Sequence, residues 1–283
     1  MRKIHENRSP LSRLLACLRV IFLFVMFLIV VVPFLWMLIT SLMPDSKSLL
    51  VRPFHLPWPP RFSNYIDAIN AQPFFTYAFN SILVSTVATA ACVLTAALAG
   101  YAFVFLRFPC KNLVFMLVLA VLMMPSQVAI ISLYVTISNF GWMDSYAALI
   151  VPFIADAYGI YLIKQNFASI PIDFIEAAKL EGAGHLTILF RVLVHLAKPS
   201  LVTFAVMSFK WRWNDYFWVM MMTSSKEMRT LPVGLAMLRN EDSGTNWQII
   251  MAATMLVILP VILFHLLAQK WLNSDALAGG VKG

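Results

Sequence analysis

The sequence predicts an all-α membrane protein built on six transmembrane helices. Of its 283 residues, 61% are apolar and 12% charged, whereas soluble domains run at about 45–50% and about 25%. Mean hydropathy is +0.81. Six long runs carry few or no charges, and a helix needs only about 20 apolar residues to cross a bilayer. The Lys and Arg residues gather in alternate connecting segments, as expected of a multi-pass chain.

The first run, Val20 to Met43, is too long for a cleaved leader, and Pro33, Trp36 and Pro44 stand where a small-residue cleavage site would lie; it is expected to stay as the first span. The following loop, with Leu56-Pro57-Trp58-Pro59-Pro60, is shaped either to meet a partner or to cap the bundle. The second run, Asn80 to Leu106, carries small residues at every fourth position, Ala88, Cys92, Ala96 and Gly100. Such a stripe lets a neighbouring helix backbone approach closely. The third and fourth runs are Leu113 to Ile137 and Ala147 to Ile163, and the fifth and sixth are Ser200 to Thr223 and Trp247 to Ala268. His265, alone in the sixth, is expected to be packed and hydrogen-bonded. The predicted organisation is a cytoplasmic tail over residues 1–19, a six-helix domain over 20–270 containing a loop at 168–199, and a second cytoplasmic tail over 271–283.

With the N-terminus inside, 13 of the 21 Lys and Arg residues fall in cytoplasmic segments, six outside, and two, Lys210 and Arg212, within the fifth span. Both termini are therefore expected in the cytoplasm. The net charge of +8 does not indicate nucleic acid, since a nucleic-acid binder collects its basic residues on one polar face. Cys17, Cys92 and Cys110 lack metal-ligand spacing and are expected to be small buried hydrophobes. No metal site is indicated. A Gly-rich loop ending in Gly-Lys-Ser or Gly-Lys-Thr is absent from the sequence, so nucleotide binding in the P-loop manner is excluded and energy must come from a partner or an ion gradient. No cofactor is expected on this chain.

The most informative segment is Ile170-Pro171-Ile172-Asp173-Phe174-Ile175-Glu176-Ala177-Ala178-Lys179-Leu180-Glu181-Gly182-Ala183-Gly184. Asp173 as cap and Glu176 three residues later predict a helix start, and Gly182 to Gly184 predict a sharp stop. An amphipathic stretch follows, with Ile188, Leu189, Val192, Leu193 and Leu196 on one side and Arg191, His195 and Lys198 on another, before Pro199. This helix–turn–helix element is read from the residues alone either as a plain connector or as a docking element.

At these residues the sequence resembles the integral permease subunits of ATP-binding-cassette importers, whose cytoplasmic signature is Glu-Ala-Ala, three residues, then Gly. Glu176-Ala177-Ala178 with Gly182 fits it, and the resemblance is closest to the carbohydrate branch, the maltose and glycerol-phosphate type. It extends over nearly the whole chain through Asn80-Ser81, Leu98-Ala99-Gly100-Tyr101-Ala102-Phe103, Arg107-Phe108-Pro109, Trp213-Asn214-Asp215, Thr230-Leu231-Pro232-Val233-Gly234-Leu235 and the terminal Gly279-Gly280-Val281-Lys282-Gly283. The resemblance implies a type I ABC importer permease fold in a bacterial inner membrane. It implies pairing with a second, homologous permease on two copies of a cytoplasmic ATPase that carries the ATP and Mg, and an external solute-binding protein that delivers a sugar or sugar-derived solute. It also implies that the loop is a coupling helix docking on the ATPase through Glu176, Ala177, Ala178, Gly182, Ala183 and Gly184, with Glu176 as polar anchor, Ala177 and Ala178 allowing close approach, and Gly182 and Gly184 making the turn. His195 stands where the family often has proline, and Glu181 where it often has aspartate.

Asp156 in the fourth span, and Lys210, Arg212 and Asp215 in the fifth, are costly in a bilayer, at about 2.5–3.5 kcal/mol each on insertion scales. They and Asn214 are read as a polar strip on the translocation path, with Trp211, Trp213, Tyr216 and Trp218 as rings for a sugar to stack on; the alternative is an ion-pair network that fixes packing. If the two cations are free, an anionic sugar gains from them; if Asp156 and Asp215 neutralise both, the passenger is a neutral sugar. Two other functions compete with this reading. An ion-coupled secondary transporter would show an internal repeat with broken spans, and a membrane-embedded enzyme would show a catalytic cluster; the sequence shows neither.

Overall fold

The computed structural model describes residues 10–45, 56–239 and 246–279. The terminal Gly280-Val281-Lys282-Gly283, the first nine residues and loop residues Lys47 and Arg52 lie outside the described residues. Every regular element described is helical. The chain divides into two compact units, residues 1–68 with 239–256, and residues 69–238 with 257–283.

In the first unit, α1 (Pro10–Ser41) is apolar around its whole circumference from Val20 to Ile39, as a helix in lipid must be. Its end is fixed by Asn64, at the start of α2 (Ser63–Ala71), whose buried side-chain amide donates to the carbonyls of Ser41 and Met43, both at 2.8 Å. A helix end leaves carbonyls without intrahelical donors, and this amide supplies two. Cys17 in α1 is exposed.

The second unit is organised around α3 (Phe74–Phe105). The small-residue stripe lies where its spacing predicts. Ala88, Cys92, Ala96 and Gly100 are all buried, and α3 packs against α7 (Ala157–Ser169) and α10 (Lys198–Trp213). A Cβ built on Gly100 would sit 3.1 Å from Ile163 Cγ2 and 3.2 Å from the backbone nitrogen of Lys164, so this helix pair meets nearly backbone to backbone.

Three expected spans are interrupted. The third is two helices, α4 (Lys111–Met123) and α5 (Ser126–Asn139), meeting at 106° across Pro125, which has no N–H to continue a helical ladder. The fourth begins as α6 (Tyr146–Ile150) and a 3₁₀ turn (Val151–Phe153) before α7. The fifth stops at Trp213 and resumes as α11 (Phe217–Met222). After α12 (Leu231–Met237), α13 (Trp247–Gly279) completes the chain. Four helical runs are long and apolar enough to cross a membrane, Leu14–Ser41, Phe74–Phe105, Tyr146–Ser169 and Trp247–Gln269. The bent pairs Lys111–Met123 with Gln127–Asn139, and His185–Leu196 with Lys198–Trp213, make six if each crosses once. Cys110 and His265 depart from their expected burial. Cys110 is exposed at φ 56° ahead of α4, and His265 is exposed, with no hydrogen bond among the described residues.

At the end of this unit where α3 begins, polar side chains tie the segment after α11 in place. The Asn80 amide donates to the carbonyls of Glu227 (2.7 Å) and Arg229 (2.9 Å), while its oxygen accepts from the Tyr146 hydroxyl at 2.7 Å. Ser81 Oγ accepts from the Leu231 amide at 2.8 Å, so the family-like segments at residues 80–81 and 230–235 meet. Asp144 Oδ1 accepts from the backbone amides of Ser224 and Ser225 and from the Ser225 hydroxyl, at 3.0, 3.1 and 3.0 Å. Burial alone would raise the Asp144 carboxyl, but the Ser225 and Ser224 donors outweigh it and hold the group below its ordinary range. Because the folded-state value is depressed, the stabilisation it provides is complete above the ordinary carboxylate range near pH 4 and is lost as the pH falls through the lower folded value. Asp144→Asn should therefore lower the melting temperature of the purified protein at pH 6 to 8, with the difference from the parent narrowing below about pH 4. A difference independent of pH would show that the carboxylate charge has no part in this clasp.

Candidate functional site: the loop after α7 and the break in the fifth span

The loop contains α8 (Asp173–Leu180) and α9 (His185–Leu196). The start of α8 differs from the expected cap. Ile172 occupies the cap position and Asp173 is the first helical residue, with no side-chain capping bond. Asp173 and Glu176 instead lie in the first turn, where their charges complement the helix dipole.

The end of α8 follows the glycines. Gly182 has φ +80°, its amide donates to the carbonyl of Lys179, and the Ala183 amide reaches back to that of Ala178, both at 3.0 Å. That pair of bonds around a left-handed residue is a Schellman motif. Ala178 and Ala183, which it brings together, pack as partly buried residues against the core of the second unit. Ile175 is fully buried in that core with Tyr101 of α3, Phe167 of α7 and Phe204 of α10. By contrast Glu176, Ala177, Gly182 and Gly184 are exposed, and nothing lies within 4 Å of where a Cβ on Gly182 or Gly184 would be. The helix thus grips the bundle through one face and leaves Glu176 and Ala177 on an open one.

A second grip joins a residue of the family-like segment 98–103 to one that no motif marks. The Tyr101 hydroxyl and His185 Nδ1 are 2.7 Å apart, joining the end of α3 to the first residue of α9. Residues Ile188–Leu193 then wind as a π-helix, with hydrogen bonds one residue longer than in an α-helix. The buried residues become Ile188, Leu189, Leu193 and Ala197, and Leu196, expected on this face, is exposed. The stretch ends at Leu196, before Pro199 as expected, with an 83° bend to α10; Pro199 lies in the first turn of α10, where its missing N–H costs nothing.

In the fifth span, Arg212 Nη1 pairs with Asp215 Oδ2 at 3.3 Å, both groups only about a fifth exposed, and the guanidinium lies 3.7 Å from the centroid of the Phe153 ring. The other oxygen of Asp215 accepts from the Trp218 amide at 3.2 Å, starting α11. Asp156 is not inside a helix. It caps α7, accepting from the Gly159 amide at 2.7 Å, which is the ordinary use of an aspartate at that position. The two carboxylates therefore do not neutralise both cations. Lys210 is exposed and makes no ion pair among the described residues. Asn214 is exposed too, its amide donating to the carbonyl of Lys210 at 2.8 Å.

Cys92, Asp156, Ser208, Trp211 and Arg212 contribute to a recess of about 30 Å³, room for about one water and too small for a sugar. Of the four rings, Trp213 and Trp218 are core residues, the latter donating to the carbonyl of Ala148 at 3.0 Å. Trp211 (48% exposed) and Tyr216 (38%) remain open. Among the described residues no three His, Cys, Asp or Glu side chains stand close enough to hold a metal ion.

Comparison with known proteins gives a family match and close relatives. Residues 93–276 match the family described as binding-protein-dependent transport system inner membrane component. The sn-glycerol-3-phosphate transport system permease protein UgpE of Yersinia enterocolitica is 34% identical over 203 residues, 71% of this chain and 72% of the relative. The arabinooligosaccharides transport system permease protein AraQ of Bacillus subtilis is 30% identical over 267 residues, 93% and 94%. Among solved structures, one chain of a bacterial ABC transporter involved in the import of the acidic polysaccharide alginate matches with a TM-score of 0.84, at 23% identity, over 93% of this chain and 98% of that one.

Proposed function

The chain belongs to the family of binding-protein-dependent transport system inner membrane components, and from that premise we propose that it forms one half of the pathway by which a sugar or sugar-derived solute is imported. Its role is that of a permease subunit of an ATP-driven importer, a transport component and not an enzyme. The family assignment replaces the ion-coupled reading. Sugar as passenger rests on the relatives, whose names record arabinooligosaccharides and sn-glycerol-3-phosphate.

The proposed assembly pairs this subunit with a second, homologous permease over a dimer of cytoplasmic ATPases that bind ATP and Mg, with an external binding protein delivering the solute. Both termini lie in the cytoplasm, following the distribution of Lys and Arg. Alternating access is driven through α8. The observation that carries this is the two-sided character of α8, with Ile175 locked in the core shared by α3, α7 and α10 while Glu176 and Ala177 are open. An ATPase seated on the open face moves the core through Ile175, and through the Tyr101–His185 contact moves α3 with it. Ala177 keeps the approach of the ATPase close, Ala178 and Ala183 keep α8 close to the core they pack against, and Gly182 and Gly184 make the turn beside it. Lys210 and Asn214 face the solute path, and Asp156, Arg212 and Asp215 fix the break in the helices that line it.

The test is site-directed crosslinking in the assembled importer. A cysteine at Ala177 should crosslink to an engineered cysteine on the ATPase, and should react with an impermeant thiol reagent only from the cytoplasmic face. Reaction from the opposite face alone would reverse the proposed orientation and remove α8 as the coupling element.

A further inference from the structure

Lys210 stands about 18 Å along α10 from its first residue, at 1.5 Å per residue, while the hydrocarbon core is about 30 Å thick. Lys210 lies in the last turn of α10, but that end is inside the fifth span, which resumes as α11. The Cα–Cβ bonds of an α-helix tilt toward its N-terminus, so the Lys210 side chain leaves the helix in the direction of the middle of the span and away from Trp213. The other ionic groups nearby are committed. Asp215 is held by Arg212 and the Trp218 amide, and Asp156 by the Gly159 amide. Among the described residues Arg212 is thus matched and Lys210 is not. An exposed, unmatched cation at this depth requires water and a counter-charge from outside the chain.

The structure assigns that counter-charge to the passenger. We infer that the solute carries an anionic group, as a phosphorylated or uronic sugar does, and that Lys210 is the residue selecting it. This rests on the reading of Lys210 and Asn214 as path residues. The surroundings suit such a solute. Asn214 spends its amide on the Lys210 carbonyl and leaves its side-chain oxygen to accept from a hydroxyl. Trp211 and Tyr216, close to these groups in sequence, are half-exposed and offer apolar faces to a sugar ring. An ammonium in a water-poor passage attracts an anion more strongly than it would in bulk water.

The test needs no knowledge of the solute. In the assembled importer, reconstituted in lipid vesicles with Cys17, Cys92 and Cys110 replaced, Asn214→Cys is reacted with an anionic and a cationic methanethiosulfonate, with and without Lys210→Gln. Tyr216→Cys serves as a second reporter should the first variant fail to assemble. With Lys210 present the anionic reagent should be favoured, and Lys210→Gln should lower the ratio of anionic to cationic rates by about fivefold to tenfold, in line with electrostatic focusing in a cleft. Both reagents reacting with a ratio that Lys210→Gln leaves unchanged would mean that a carboxylate of the partner permease already meets the charge; the inference then falls and the path reading stands. No reaction at either position, in resting and ATP-bound states alike, would show a surface sealed from water and would overturn both.

Discussion

Replacing Gly182 with valine should abolish transport while leaving the protein inserted and folded. The +80° φ of Gly182 lies in the region that L-residues enter at a cost of about 1–2 kcal/mol, and more when β-branched. The space around the residue is empty, so the penalty is one of backbone and not of packing. Relief comes by leaving the left-handed conformation, which breaks the bonds from Gly182 to Lys179 and from Ala183 to Ala178 and swings Glu176 and Ala177 away from their present direction. Solute-stimulated ATP hydrolysis and uptake, measured in vesicles, should both fall at least about tenfold, while basal hydrolysis and the thermal midpoint change little. Survival of uptake in Gly182→Val and also in Glu176→Lys would dismiss α8 as the element through which hydrolysis drives transport.

The largest effect on stability is expected at Gly159. A Cβ there would overlap three ring atoms of Phe204, and Phe204 is fully buried, so the ring can yield only by displacing its neighbours in the core. Gly159→Ala should destabilise by about 1–3 kcal/mol, the usual range for overpacking. Phe204→Leu alone should also destabilise, by leaving a void. The double variant should be more stable than the sum of the two losses predicts, because each change relieves the other. Thermal unfolding of the four proteins in detergent gives the coupling directly, and strict additivity would show that the backbone accommodates the methyl by moving α7.

How much of this was legible in the sequence varies with the physics of each feature. The spans were legible because apolar length is a one-dimensional property, and the stop of α8 because only glycine enters its φ region at no cost. The interruptions were harder. Pro125 was a visible signal, whereas the break at residues 214–216 arises where Asp215 serves Arg212 on one side and the Trp218 amide on the other. Asp156 was misplaced inside a helix although Asp156 with Gly159 three residues on, after Pro152, is the pattern of a helix restart. The π-wound segment could not be foreseen, since Ile188, Leu189, Val192, Leu193 and Leu196 satisfy the ordinary helical period. Tyr101 with His185, 84 positions apart, was beyond any local reading, because their meeting depends on how α3 and α9 pack.

The wide turn at Ile188–Leu193 carries a surplus residue relative to ordinary helical winding. Losing one residue there rewinds the turn into standard geometry and costs a few hydrogen-bond adjustments, where the same loss within Asp173–Leu180 would turn Glu176 by about 100° on its helix. The segment is therefore a length reserve placed between a contact surface that has to keep its orientation and a span that has to keep its depth. A one-residue insertion or deletion in this part of the chain has a place to be absorbed without disturbing either.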